Sequence, residues 1–456
     1  RNYSEARVPV VPSSIIEMLS HQNFNDMKYA QDPNFKFTLS RAIYKGILRY
    51  IGRESKKNVI VEPLAPSSLH ATFAGETEVK IAWNATPDSL EPTADPNAYL
   101  LYTRINDGAF DNGKMIHGNE TKVTIRPDQI YSFKVVAVNE GGRSFPSEIV
   151  SVCRNTKEKG TVMIVNGFDR LSAPASFEAK QDSLAGFLYD EDHGVAYQQD
   201  ISFVGDQYSF HRNAPWITND DNGFGDCYND YTGKTMAGNT FDYPYMHGKS
   251  MKAAGYSFVT SSEKAVVDGT VKLADYRIVD LILGKQRATT IGNCVRPVDF
   301  QTFPEDLQKA LTDYCKAGRS LMVTGAYVLS DLQNTPEGKS FAKNVLKCTF
   351  ASSNASRAAV AASCVSAVKG FNGSYRYCNT PNPHIYCAER VNGMTPADKK
   401  ASSVLRYTDN NIGAAVAYDG DYRNFVMGFP FETILDESSR DQLMGEILGF
   451  FSSSTK

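Results

Sequence analysis

The stretch Gly160–Phe168, GTVMIVNGF, decides how the larger part of this chain is read. Its apolar run, Val162 to Val165, has no polar alternation and stops at Asn166-Gly167. A strand buried on both faces looks like this, and parallel sheets covered by helices bury their strands in that way. The pattern returns in Tyr276–Gly284, YRIVDLILG. In Phe303–Val328, FPEDLQKALTDYCKAGRSLMVTGAYV, a helix feeds another buried strand. Pro304, Glu305 and Asp306 stand in that helix's first turn and Gly318 at its end, the usual start and stop signals. Residues 414–434 read as a hairpin turning at Asp419-Gly420, and residues 438–451 as a terminal amphipathic helix. Strands alternating with helices predict a parallel sheet with helices on both faces over residues 157–456. A long Gly-, Asp- and aromatic-rich insertion interrupts it at 188–247.

Upstream the character changes. EVKIAWNA, AYLLYTRI, KVTIRP and YSFKVVAVN, between Glu78 and Asn139, are short β-rich runs separated by turn residues, the spacing of a β-sandwich. Together with the opening PLAPSSLHATF, Trp83, Tyr131 and the closing PSEIVSV, they resemble a fibronectin type III module over residues 56–156. The resemblance implies that Trp83 fills the space between two sheets and that Tyr131 is a corner tyrosine. It also implies a spacer or binding platform.

Residues 1–55 read as a strand and a helix. VPVVPSSIIEML predicts a strand ending at Glu17, after which the chain turns polar. In the segment from Asp32 to Ile51, residues Phe35, Leu39, Ile43, Ile47 and Ile51 recur every four positions, one face of a helix. One strand and one helix cannot make an independent core, so this segment reads as the tail of a larger domain. It resembles the C-terminal end of the zinc-dependent N-acetylmuramoyl-L-alanine amidases: Ile15-Ile16-Glu17, the polar loop SHQNFNDM, Asp32-Pro33, then AIYKGILRYI. The resemblance implies that Glu17 is the catalytic carboxylate, taking a proton from metal-bound water and passing it to the leaving amine. The family's zinc ligands lie upstream of this match. Zinc is therefore expected in the intact protein and no metal in this chain, which by itself is expected to be inactive; His21 is read as a loop residue.

The last segment resembles the flavodoxin-like domain of class I glutamine amidotransferase-like proteins, through MVTGAYVLSDL and VMGFPFETILDESSRDQLMGEIL. The nucleophile position of that family falls on Ala326, and no Cys occupies it. The fold class expected for the whole is multidomain: an α/β tail, an all-β sandwich and a flavodoxin-like parallel α/β domain.

Ligand residues are expected at the C-terminal edge of the sheet: Asn166, Gly167 and Asp169, then Ser330 and Asp331, and in the insertion Asp242, Tyr245, His247 and Lys249. A hydrolase reading makes His247 a base oriented by Asp242. A glycan-binding reading uses Trp216, Tyr243 and Tyr245 as stacking platforms. A third has these aromatics packing a loop onto the sheet. TNDDNGFGD, residues 218–226, has calcium-like composition without EF-hand spacing and reads as a solvated turn.

Bulk properties exclude some classes. A net charge of -3 with no basic stripe argues against a nucleic-acid partner, and no run approaches the ~18 apolar residues of a membrane span. The chain begins with Arg1 and has no signal-like segment, which reads as a processed or truncated product. Among 8 cysteines, Cys348/Cys364 and Cys378/Cys387 are candidates to close short loops in an oxidising compartment, with buried free thiols the alternative. The expected function is a fragment of a secreted, periplasmic or cell-surface peptidoglycan amidase. The alternative is a non-catalytic surface protein binding peptidoglycan or another glycan, or a polysaccharide-degrading enzyme of the type labelled xanthan lyase.

Overall fold

The computed structural model describes residues 3–179, 181, 183–195, 208–209, 226–227, 242–290, 298–380 and 385–453. Trp216 and the segment 218–226, apart from its last residue, lie outside these, as does most of the insertion.

Near the N-terminus, α1 (Phe24–Gln31) leads into α2 (Pro33–Ser55). Asp32 caps α2 through a bond accepted from Asn34 N, and Pro33 holds its first turn, as the sequence signals require. The strand expected before them is not formed. Residues 12–20 are irregular, and Val10, Val11, Ile15, Ile16, Glu17 and Met18 are exposed. Pro9 and Pro12 remove two donors from this segment, and without a partner strand the remaining backbone groups have no ladder to join.

The sandwich comprises β1 (Ser67–Phe73), β2 (Glu78–Asn84), β3 (Ala98–Ile105), β4 (Lys114–Ile116), β5 (Glu120–Thr124), β6 (Tyr131–Asn139), β7 (Gly142–Pro146) and β8 (Val150–Val152). One sheet is β1-β2-β5; the other is β4-β3-β6-β7, with β8 also on β6. Trp83 is buried between them, its ring edge-on to Tyr99 at 5.3 Å. The Tyr131 hydroxyl accepts from Arg126 N at 3.2 Å, the corner bond expected of it.

Beyond lie β9 (Thr161–Asn166), the hairpin β10 (Ser176–Ala179) and β11 (Leu184–Phe187), α3 (Tyr243–Ala253), β12 (Ser257–Ser262), α4 (Glu263–Val267) and β13 (Ile278–Gly284). Then come α5 (Glu305–Lys316), β14 (Ser320–Gly325), α6 (Pro336–Asn344), β15 (Val360–Ser363), β16 (Ser374–Arg376), β17 (Ala401–Tyr407), β18 (Gly413–Asp419), β19 (Arg423–Met427) and α7 (Glu437–Ser452). The parallel strands stand in the spatial order β12-β9-β13-β14-β19. In chain order among themselves that is 2-1-3-4-5, so the connections reverse direction between β9 and β13.

The sheet does not end at β12. Strand β1 of the sandwich pairs antiparallel with it, so a single path of 12 strands runs from β16 through the parallel core to β5. Cys153 and Phe258 exchange two backbone hydrogen bonds at 3.0 Å, and Thr260 Oγ1 donates to Ser151 O at 2.6 Å. A sandwich that shares its sheet with the next domain is no loose spacer.

Candidate functional site

Among the described residues, those singled out in the insertion do not gather into one site. Asp242 pairs with Arg104 of β3 at 2.5 Å, and the Tyr245 hydroxyl donates to Asp107 while its ring lies under the Arg104 guanidinium at 4.8 Å. These contacts fasten α3 to the sandwich. Tyr243 is buried, stacked on Phe168 and edge-on to Tyr386. His247 is fully buried: Nδ1 is 2.6 Å from Asp280 Oδ2 and Nε2 is 3.3 Å from Glu432 Oε2. Tyr386 donates to the other oxygen of Glu432 at 2.6 Å. Burial alone favours a neutral imidazole, but Asp280 and Glu432 outweigh it and push His247 up to about 9. A histidine already protonated at neutral pH cannot act as a base there, and its partner is Asp280, not Asp242. Lys249 pairs with Glu437 at the surface. Glu17 is exposed in an irregular segment. Ala326 is buried with its N–H donated to Gly284 O, and its φ is not in the left-handed region; no strained turn presents a nucleophile there.

The polar groups converge instead where the strand order reverses, at the C-terminal ends of β9 and β13. Such reversals open a crevice, the place where open α/β sheets take ligands. From the first strand end comes Arg170, buried, whose guanidinium reaches Asp192 at 2.6 Å, Thr289 Oγ1 at 2.9 Å and Lys285 O at 3.2 Å. From the second comes Lys285, 3.1 Å from Asp192 and within 2.9 Å of both Glu389 oxygens. Glu389 also accepts from His193 N at 2.8 Å and lies 2.7 Å from His193 Nδ1. Burial opposes the charge on Asp192, but Arg170 and Lys285 hold its carboxyl far below the usual range. Gln286 positions the strand end by accepting from both Asp169 N and Arg170 N. Asp331, expected in a site, instead fixes the neighbouring loop by accepting from Ala288 N and Thr302 Oγ1. Ser330 N is held by Asn392.

Above this cluster lies a cavity of about 350 Å³. Its walls come from three parts of the chain: Lys28 and Asp32 at the α1–α2 junction, Ser172, Ser176 and Phe187 around the hairpin, and Arg287 and Thr289 after β13. Asp32 and Ser172 are both buried, and each has one oxygen, Asp32 Oδ2 and Ser172 Oγ, with no hydrogen-bond partner. Buried polar atoms normally find partners, and these two belong to residues that line one cavity.

Sequence reasoning placed Asn166, Gly167 and Asp169 at this edge but missed Asp32, Arg170, Ser172, Asp192, Lys285 and Glu389. Only Arg170 and Lys285 carried a signal, standing directly after buried strands. Cys348, Cys364, Cys378 and Cys387 are all free thiols, so neither loop-closing pair is formed. Burial first, then Glu389 beside it, pushes the Cys387 thiol up.

Residues 64–152 match the fibronectin type III domain family. Among solved structures, the FN5 domain of Drosophila Lar is 20% identical, with a TM-score of 0.17, covering 20% of this chain and 97% of that one. The FN3 domain of human collagen XX is 18% identical with a TM-score of 0.17, over 21% of this chain and 96% of that one. No curated protein matches the sequence. Residues 64–152 are a fibronectin type III domain set within a mixed α/β chain.

Proposed function

We propose that this chain is the binding part, not the bond-breaking part, of a glycan-directed surface protein, and that the cavity over Arg170 and Asp192 holds the sugar. The observation that carries this is a polar cavity with Asp32 and Ser172 in its wall, each keeping one buried oxygen without a partner. A carboxylate oxygen and a hydroxyl suit a ligand rich in hydroxyls, which both donates and accepts. Phe187 adds an aromatic wall, and Ser176, Thr289 and Thr290 add further hydroxyls. The proposed C-terminal fold is a flavodoxin-like doubly wound sheet, supported by the 2-1-3-4-5 order of its parallel strands. Fibronectin type III domains are common in cell-surface proteins, which suits an extracellular setting. Among the described residues no helix is long and apolar enough to cross a membrane.

Calorimetric titration of the chain with muropeptide fragments and neutral oligosaccharides tests the reading. Asp32→Asn removes the carboxylate charge yet caps α2 as well as Asp does, so it separates binding from folding. A hydrogen bond to a charged group is worth about 1.5–3 kcal/mol, so the variant is expected to bind at least tenfold more weakly. Equal affinity in wild type and variant rejects the cavity as the sugar site.

A second reading has its own observation. Phe37, Ile47 and Ile51 of α2 are exposed and no residue of that helix except Gly52 is buried. An apolar stripe left open suits a helix that completes a larger amidase-like domain, with Glu17 as its catalytic carboxylate and zinc bound elsewhere in that domain. The test is peptidoglycan hydrolysis by the protein extended upstream, with and without Glu17→Gln; activity untouched by the substitution rejects that role.

A further inference from the structure

We propose that His193, Cys387 and Glu389 form a binding site for one divalent metal ion of the zinc class, beneath the cavity. One donor atom from each lies within 4.8 Å of the others. The three types, imidazole, thiolate and carboxylate, are the donors zinc takes, and three protein ligands leave a fourth position open. Sulfur and nitrogen together disfavour magnesium and calcium, which prefer all-oxygen shells.

The set is built from distant chain segments. Cys387 and Glu389 are two apart, and Ala388 between them donates its N–H to Cys378 O at 2.9 Å, which fixes that segment. His193 arrives next to Asp192, the residue anchored by Arg170 and Lys285. Its own N–H, donated to Glu389, fastens backbone and carboxylate together. Glu389 therefore has a supporting hydrogen bond independent of its role as a ligand, the kind of outer contact that orients metal-binding carboxylates.

Lys285 is the competitor, because its ammonium now bridges both Glu389 oxygens. It need not be lost when an ion binds, since Asp192 remains 3.1 Å away to hold it. A coordinating thiol is deprotonated by the ion itself, so Cys387 brings a negative charge that offsets the cation. The alternative role for these residues, a cysteine nucleophile, fits less well. Glu389, like His193, stands within 4.8 Å of the Cys387 thiol, and a carboxylate neighbour discourages thiolate formation.

The test is titration of the reduced, metal-free chain with Co²⁺ alone. The expected result is one equivalent bound, with a thiolate-to-cobalt charge-transfer band that Zn²⁺ displaces. Cys387→Ser is expected to abolish the band, whereas Cys364→Ser, altering a half-buried thiol outside the cluster, is expected to leave it. If Cys387→Ser does not fold, X-ray absorption on the zinc-loaded wild type decides instead, with one sulfur expected at about 2.3 Å. A shell without sulfur, a band that survives Cys387→Ser, or a Cys378–Cys387 disulfide in the folded protein would each overturn the proposal.

Discussion

His247 shows how one residue can carry the chemistry of a catalytic group and serve as a fastener. Its ring lies on Phe431 at 4.6 Å and between two carboxylates, with no exposed surface. It joins α3, β13 and the turn before α7, through partners 33 and 185 residues away in sequence. Removing the cation strands Asp280 and Glu432, and breaking a buried pair in this way costs about 3–5 kcal/mol. His247→Leu is therefore expected to lose that much in urea unfolding at pH 6. The pH dependence follows from the raised value. The folded state holds the proton up to about 9 and the ordinary value is 6.5. The stabilisation is complete below the ordinary value and disappears as pH rises through the raised one. The gap between wild type and variant should narrow steadily from pH 6 to pH 10; a gap constant across that range would refute the charged assignment.

At the scale of elements, α2 has two faces with opposite fates. Arg41 and Lys45 converge on Asp88 at 2.9 and 2.8 Å, and Arg49 reaches Glu91 at 2.9 Å. Arg41 also donates to Glu62 O, so the charged face docks on the sandwich while the apolar stripe stays open. Burial raises the Asp88 carboxyl, but its bonds to Lys45 and Arg41 prevail and hold it low. Asp88→Ala leaves two cations facing a gap, and it is expected to speed hydrogen exchange throughout residues 33–55 while β6 stays protected. Ile47→Ser, on the open face, is expected to shift the melting temperature by only ~1 °C, since exposed substitutions are usually within about 0.5 kcal/mol. The sequence announced α2 clearly, because capping and periodicity are local. It announced the buried strands for the same reason: β9, β13 and β14 are short apolar runs between turn signals. The expected strand at residues 8–19 failed because apolar composition does not supply a partner. The cavity was hidden because Asp32 and Ser172 meet only through the packing of α2 against the loop after β9, where Asn34 Nδ2 donates to Leu171 O at 3.1 Å.

For the whole molecule the decisive feature is the joint between sandwich and parallel core. It comprises the β1–β12 pairing, the Cys153–Phe258 bridge, the Arg104–Asp242 ion pair and a bond from Asn166 Nδ2 to Glu148 at 2.9 Å. Fibronectin type III domains commonly fold alone, but here removal of residues 64–152 would leave β12, a wholly buried strand, as a bare sheet edge with unpaired backbone groups. Such edges recruit other chains. The shortened protein is therefore expected to aggregate, and the complete one to melt as a single calorimetric transition. The joint also responds to pH. Burial pushes the Glu148 carboxyl up to about 8, and burial together with Asp169 and Glu148 pushes Glu263 well above the usual range. Both carboxyls are held neutral in the folded state, so their contribution is present at acidic pH and is lost as pH rises through the raised values. His247 loses its contribution over an overlapping interval, so stability should fall from pH 5 to pH 9. Glu148→Gln keeps the shape of the side chain and removes its titration; it should flatten that decline without moving the melting point at pH 5. A sandwich that melts separately from the parallel core, or a decline as steep in the variant as in wild type, would show that the two domains are merely adjacent.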